Sequence, residues 1–229
     1  MIEFLAALAA FLAAHSLPAM TGTKARLVAR LGRGGYVAAY SAVSLGLLVW
    51  LIDAALRAPH LALWDPAPWQ WHLAIALMPL AFLFLIAGAA APNPLSVSFR
   101  RGEEPGAIVA ITRHPILWGF ALWALAHVPA NGDAVALILF GGMAAFSLLG
   151  MRIVDARARR RLGPERWRAL AGKTSVVPFA AILAGRARPH GLAAALPYAA
   201  LALVLYGWFL LDGHARLVGI DPLAAVVPR

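Results

Sequence analysis

The stretch "WHLAIALMPLAFLFLIAGAAA", Trp71 to Ala91, carries one ionisable side chain, His72 near its start, and is apolar from there to its end. The hydrocarbon core of a bilayer takes about 20 apolar residues of helix to cross, so this stretch reads as a membrane span. Five further runs have the same character: Ile2 to Met20, Tyr36 to Leu56, Gly106 to Val128, Ala134 to Val154 and Gly191 to Leu211. The expected fold is all-α, a polytopic membrane helix bundle of about six transmembrane helices forming one domain over residues 1–229.

Composition agrees. Hydrophobic residues make up 62% of the chain and charged residues 13%, far from the balance of soluble domains. The net charge of +10 would suggest nucleic acid in a soluble protein. Here the basic residues lie between apolar runs, where they set topology and meet anionic lipid, so no nucleic-acid partner is expected. There is no cysteine, which removes disulfides, thiolate ligands and thiol redox chemistry. Of the 20 lysines and arginines, all but Arg57, Arg216 and Arg229 fall on one side of the six-helix scheme. That side is the cytoplasmic one, so both termini are expected on the non-cytoplasmic side, in a bacterial inner membrane; in an organelle the same bias would point to the stroma or matrix. Ile2 to Met20 lacks the basic start of a secretory signal, carries Glu3, and is followed by Lys24, Arg26, Arg30 and Arg33. It is expected to remain as the first helix.

The sizeable cytoplasmic piece is the basic segment of about 155–190. The fifth helix should run on past the membrane surface to Gly163-Pro164, with a second short helix starting at Glu165 and Trp167 placed as an interfacial anchor.

Ionisable groups inside spans are costly and mark function. The first helix offers His15 with Ser16, the fourth Arg113, His114 and His127, and helix ends offer Asp53, Asp212 and His214. His60 and His72 fall in or beside an outer loop with Trp64, Asp65 and Trp69. His114 and His127 are separated by about 20 Å along an ideal helix and by a net rotation of about 220°, so they cannot ligate one ion, and each needs a partner on another helix. His15 is the histidine placed to supply it. Imidazole is a common metal ligand and a standard axial ligand of haem iron. Pro115 should kink the fourth helix or restart it near Arg113-His114-Pro115.

Four motifs, "AAHSLPA", "TRHPILWGFALWALAH", "GPERWRALAGKTSVVPFAAI" and "HARLVGIDPL", occur in this order over nearly the whole chain. In this the chain resembles the NnrU family of bacterial membrane proteins, which is associated with nitrite and nitric oxide reduction in denitrification. That family also includes the 15-cis-zeta-carotene isomerases. The resemblance implies a haem b cofactor, with His15 and His127 as axial metal ligands and Arg113 and His114 near the haem propionates or shaping the pocket. By depth in the six-helix scheme His114 matches His15 better, so it stands as the alternative ligand. The cysteine found near the second histidine in the isomerase branch is absent from "WALA" before His127. An open axial position would serve cis-trans isomerisation of an apolar, carotenoid-like polyene, or binding of nitric oxide.

A second resemblance is to the isoprenylcysteine carboxyl methyltransferases, through "RHPILWG" and the downstream "RRRLGPERWRALAGKTSVVPF". It implies S-adenosylmethionine held by Arg113 and His114, although Asp155-Ala156 keeps one acid where those enzymes carry two. A third reading is a non-catalytic assembly factor for a membrane reductase. Gly141-Gly142 and Gly150 permit close helix contact, within the bundle or between copies.

Overall fold

The computed structural model describes residues 1–20, 22–100, 102–188, 191–224 and 226. Arg101 and Arg229 of the charge pattern, and His190 of the basic segment, lie outside the described residues. The helices in chain order are α1 Ile2–Met20, α2 Thr23–Leu56, α3 Pro68–Ala90, α4 Ile108–Ile111, α5 Pro115–Asn131, α6 Ala134–Leu162, α7 Pro164–Ala171, α8 Ala180–Leu183, α9 Leu196–Trp208 and α10 His214–Val218. A 3₁₀ turn, Leu192–Ala195, leads into α9, and a π-helical turn, Phe209–Gly213, joins α9 to α10. Among the described residues there is no strand, and one isolated bridge pairs Ala62 with Asp133.

Four segments are long and apolar enough to cross a membrane: Thr23–Leu56, Pro68–Ala90, Ala134–Leu162 and Ala193–Val218. Six spans are expected from the sequence. Two of the corresponding helices are shorter: the apolar part of α1 is Ile2–Leu17, and α5 has 17 residues, about 25 Å at 1.5 Å per residue. The cause of the second lies in the chain itself. Thr112 is extended (φ −150°, ψ 144°), and His114 is non-helical (φ −122°, ψ 59°) because the residue before proline is pushed out of the α region. The expected fourth helix is therefore broken into α4 and α5, with Pro115 opening the second piece, where its missing N–H costs nothing.

The chain divides into two compact units. The first comprises Met1–Leu63 and Asp133–Leu139. In it α1 and α2 run antiparallel. Glu3 at the start of α1 pairs with Arg57 just beyond the end of α2 at 2.9 Å and accepts a hydrogen bond from Trp50. Phe4, Ala7, Leu51 and Ala54 are buried. α2 starts earlier than expected, so Lys24, Arg26 and Arg30 ride on a helical lead-in that ends at Gly32, whose φ of 68° and ψ of 167° break the helical path.

The second unit comprises Trp64–Gly132 and Phe140–Arg229. Its tightest packing is between α3 and α5. A Cβ on Gly119 would stand 2.9 Å from the Ala81 carbonyl oxygen and 2.7 Å from Leu85 Cγ, and one on Gly88 would stand 2.9 Å from Pro115 Cβ. Only glycine allows this approach. α9 joins α3 through the Tyr206 hydroxyl, which donates to the Ile75 carbonyl at 2.9 Å. As expected, α6 runs to Leu162 and the chain turns at Gly163; α7 begins one residue early, at Pro164.

Candidate functional site

Breaking a helix frees backbone groups that must find partners when buried. At the α4–α5 break several of them are met by the segment after α7 or the loop after α3. Arg113 N–H donates to the Ser175 carbonyl at 2.8 Å, and the Ile111 carbonyl accepts from Phe179 N–H at 2.8 Å. The Arg113 carbonyl accepts from Asn93 Nδ2 at 2.9 Å, while Asn93 Oδ1 holds the amides of Leu95 and Ser96. The Thr112 hydroxyl donates to the Val176 carbonyl at 2.9 Å. "GKTSVVPF" is thus the strap that closes over "ITRHP".

This scaffold holds a charged cluster inside the second unit. Arg113 Nη1 meets Asp155 Oδ2 of α6 at 2.6 Å, and Nη2 donates to the Ala171 carbonyl at 3.0 Å. The guanidinium lies over the Trp167 ring, 5.4 Å from its centre, a cation–π contact. His114 is fully buried. Its Nδ1 is hydrogen-bonded to the Ser96 hydroxyl at 2.8 Å, and its Nε2 faces Asp155 Oδ1 at 3.3 Å without meeting hydrogen-bond geometry. Arg113 Nε is likewise buried without a partner.

His127 lies about three and a half turns further along α5, in the same unit. Its Nδ1 donates to the Trp123 carbonyl at 2.7 Å, and Phe140 stacks on the ring at 4.7 Å between centres. The end of α5 is pinned around it: Asn131 Nδ2 donates to the His127 carbonyl, and the indoles of Trp64 and Trp71 donate to the carbonyls of Pro129 and Ala130. The His214 ring lies 6.4 Å from that of His127. His15 belongs to the first unit. Its Nδ1 donates to the Phe11 carbonyl at 2.8 Å, and its ring packs against Phe11 and edge-on to Tyr40.

The structure therefore brings Arg113 and His114 together, sets Asp155 directly against both, and adds Asn93, Ser96 and Trp167. Asp155 had a signal: it is the lone acid in a run holding Arg152, Arg157, Arg159, Arg160 and Arg161. Trp167, expected as an interfacial anchor, has the Arg113 and Arg159 guanidinium groups at 5.4 and 5.7 Å from its ring centre. His114 has both ring nitrogens turned to protein groups. His127 and His15 each have Nδ1 tied to a carbonyl, and neither Nε2 has a hydrogen-bond partner among the described residues.

The NnrU protein family model matches residues 3–222. The chain belongs to the NnrU family. It is similar to the chloroplastic 15-cis-zeta-carotene isomerase of Zea mays, 38% identical over 104 residues that make up 44% of this chain and 28% of that one. It is also similar to the enzyme of the same name from Arabidopsis thaliana, 42% identical over 79 residues, 34% of this chain and 21% of the relative. The matched segments thus span less than a third of these relatives' lengths. No solved structure matches the chain. Among the described residues there is no group of three or more His, Asp or Glu side chains arranged to hold a bare metal ion.

Proposed function

We propose that this NnrU-family chain is a haem b-dependent membrane isomerase that rotates a cis double bond of a carotenoid-like polyene. The observation that carries this reading is its 38% identity, over 104 residues, to an enzyme named for that reaction. The donor chemistry fits a haem. A ligating histidine usually gives its second ring N–H to a carbonyl or carboxylate, which fixes the tautomer and leaves Nε2 as the ligand atom. His127 and His15 both have that arrangement. His127 is the first ligand. The second imidazole is either His15, which the family resemblance gives, or His214, which faces His127.

When bound, a haem would supply electron density to a double bond held beside it, lowering the barrier to rotation. The chain's own residues do the rest. Trp123 and Phe140 pack against the His127 ring, 5.4 and 4.7 Å between centres. The methyltransferase reading gains no comparable support, because the groups it gives to S-adenosylmethionine are already engaged by Asp155, Ala171 and Ser96. The membrane orientation we propose puts both termini outside the cytoplasm, with the α6–α7 region inside.

The test is an absorption spectrum of the detergent-purified full chain, oxidised and reduced, with chromatography of a cis polyene before and after incubation. A haem b spectrum with polyene conversion, both lost in His127→Ala, is the expected result. A colourless protein would overturn the haem assignment, and a coloured protein that leaves the polyene unchanged would overturn the isomerase assignment.

A further inference from the structure

Gly32 interrupts α2 with a φ of 68° and a ψ of 167°, a backbone conformation essentially closed to any residue with a side chain. The break turns two short helix faces toward one another. On the lead-in, Lys24 and Val28 are four residues apart and share a face; beyond the break Arg33, Tyr36 and Val37 share another by the spacing of three and four. These five residues line one cavity of about 330 Å³ in the first unit, at the small end of the range of about 300–1,000 Å³ for ligand pockets. Arg26 and Arg30 ride on the same lead-in and do not line it.

The lining suits an anion that carries an apolar part. The acids of the first unit are Glu3, Asp53 and Asp133, and none is near Lys24 or Arg33. Glu3 and Asp53 hold Arg57 beyond the far end of α2, about 36 Å from Gly32 along the helix. Asp133 accepts from Ala136 N–H at the start of α6, beside Ala62. Tyr36 is only 8% exposed, yet its hydroxyl has no hydrogen-bond partner among the described residues. Its ring is held by stacking on Tyr40 at 5.7 Å between centres. A point charge from lysine, a planar fork from arginine and a hydroxyl donor together match the oxygens of a phosphate. Val28 and Val37 give a bare inorganic ion nothing. They give an acyl chain a wall, and Val37, 52% exposed, continues that wall out of the cavity.

We propose that this cavity binds one anionic glycerophospholipid, its phosphodiester between Lys24 and Arg33, the Tyr36 hydroxyl donating to it and an acyl chain leaving along Val28 and Val37. Diffuse attraction of a basic surface to anionic lipid counts every cation alike, at about 1 kcal/mol each; a built site counts two of the four. The experiment titrates the detergent-purified, delipidated full chain with phosphatidylglycerol, with phosphatidylcholine, and with phosphatidylglycerol in the presence of inorganic phosphate, and reads bound lipid by native mass spectrometry. Saturable binding of one phosphatidylglycerol is expected, preferred over phosphatidylcholine and not displaced by inorganic phosphate. Lys24→Ala with Arg33→Ala should bind at least about tenfold more weakly than Arg26→Ala with Arg30→Ala, which removes the same charge. All four side chains are exposed, so neither pair is needed to fold. Tyr36→Phe keeps the ring and should lose about tenfold. Gly32→Ala keeps every charge but not the bend and should lose the saturable binding, whereas Gly34→Ala, whose added Cβ meets nothing within 4 Å, should keep it. Equal weakening in the two double variants overturns the proposal in favour of diffuse attraction. Equal binding of phosphatidylcholine overturns recognition of the anion, and displacement by inorganic phosphate assigns the cavity to a soluble anion instead of a lipid. Undiminished binding in Gly32→Ala overturns the role of the bend.

Discussion

Asp155 shows how much a single carboxylate can organise. It answers the Arg113 guanidinium at 2.6 Å and stands against His114 Nε2 at 3.3 Å, in a cluster where the Arg113 side chain is 10% and its own 20% exposed. Removing one member of a buried ion pair leaves the other charge uncompensated, typically at a cost of about 3–5 kcal/mol. Asp155→Ala should therefore destabilise the protein by about 3 kcal/mol, measured as unfolding by SDS in mixed micelles. The double replacement Arg113→Met with Asp155→Leu should fall closer to the wild type than Asp155→Ala does, because it removes both charges together. Arg113 and His114 were visible in the sequence as ionisable groups in an apolar run. Their anchor was not, because Asp155 lies 42 residues away from Arg113 in a run that otherwise reads as a basic surface signal.

The interrupted helix α4–α5 was legible because its cause is local: proline constrains the residue before it wherever the chain goes. Close packing between helices was not legible in the same way. Gly141-Gly142 and Gly150 would permit close contact, yet a Cβ on Gly142 would meet nothing within 4 Å and one on Gly150 would only touch Leu117 at 4.0 Å. Between α3 and α5 the crowded glycines are Gly88 and Gly119, each crowded by the other helix. Gly119→Ala should cost about 1–3 kcal/mol, since the obstacle includes the Ala81 carbonyl, which cannot move aside. Gly142→Ala should be neutral or stabilise by up to about 1 kcal/mol, because alanine is the better helix former in open space. The same SDS titration reads both, and a Gly142→Ala variant weaker than Gly119→Ala would contradict the packing described.

Considered entire, the chain displays apolar side chains to its surroundings. On α2, Leu45 and Val49 are 62% and 60% exposed, and on α9 Val204 is 68% exposed. In water a surface of that kind would drive aggregation; in hydrocarbon it costs nothing, while ionisable side chains must turn inward. The membrane orientation is open to direct test because the chain has no cysteine of its own. A single His60→Cys should react with a membrane-impermeant maleimide in intact cells, and a single Arg166→Cys should react only after lysis. The reverse pattern would invert the topology.

The sequence by itself determined the solvent, the helical class, the chain break at Pro115 and the short list of ionisable residues inside apolar runs. These follow from composition, from the length of apolar runs and from one proline's effect on its neighbour, all of which act over a few turns of chain. Only the tertiary structure decided which of those residues meet. The Arg113–His114–Asp155 cluster, the strap of "GKTSVVPF" over the broken helix and the approach of His214 to His127 all join positions far apart in the chain. Their geometry is set by where whole helices pack.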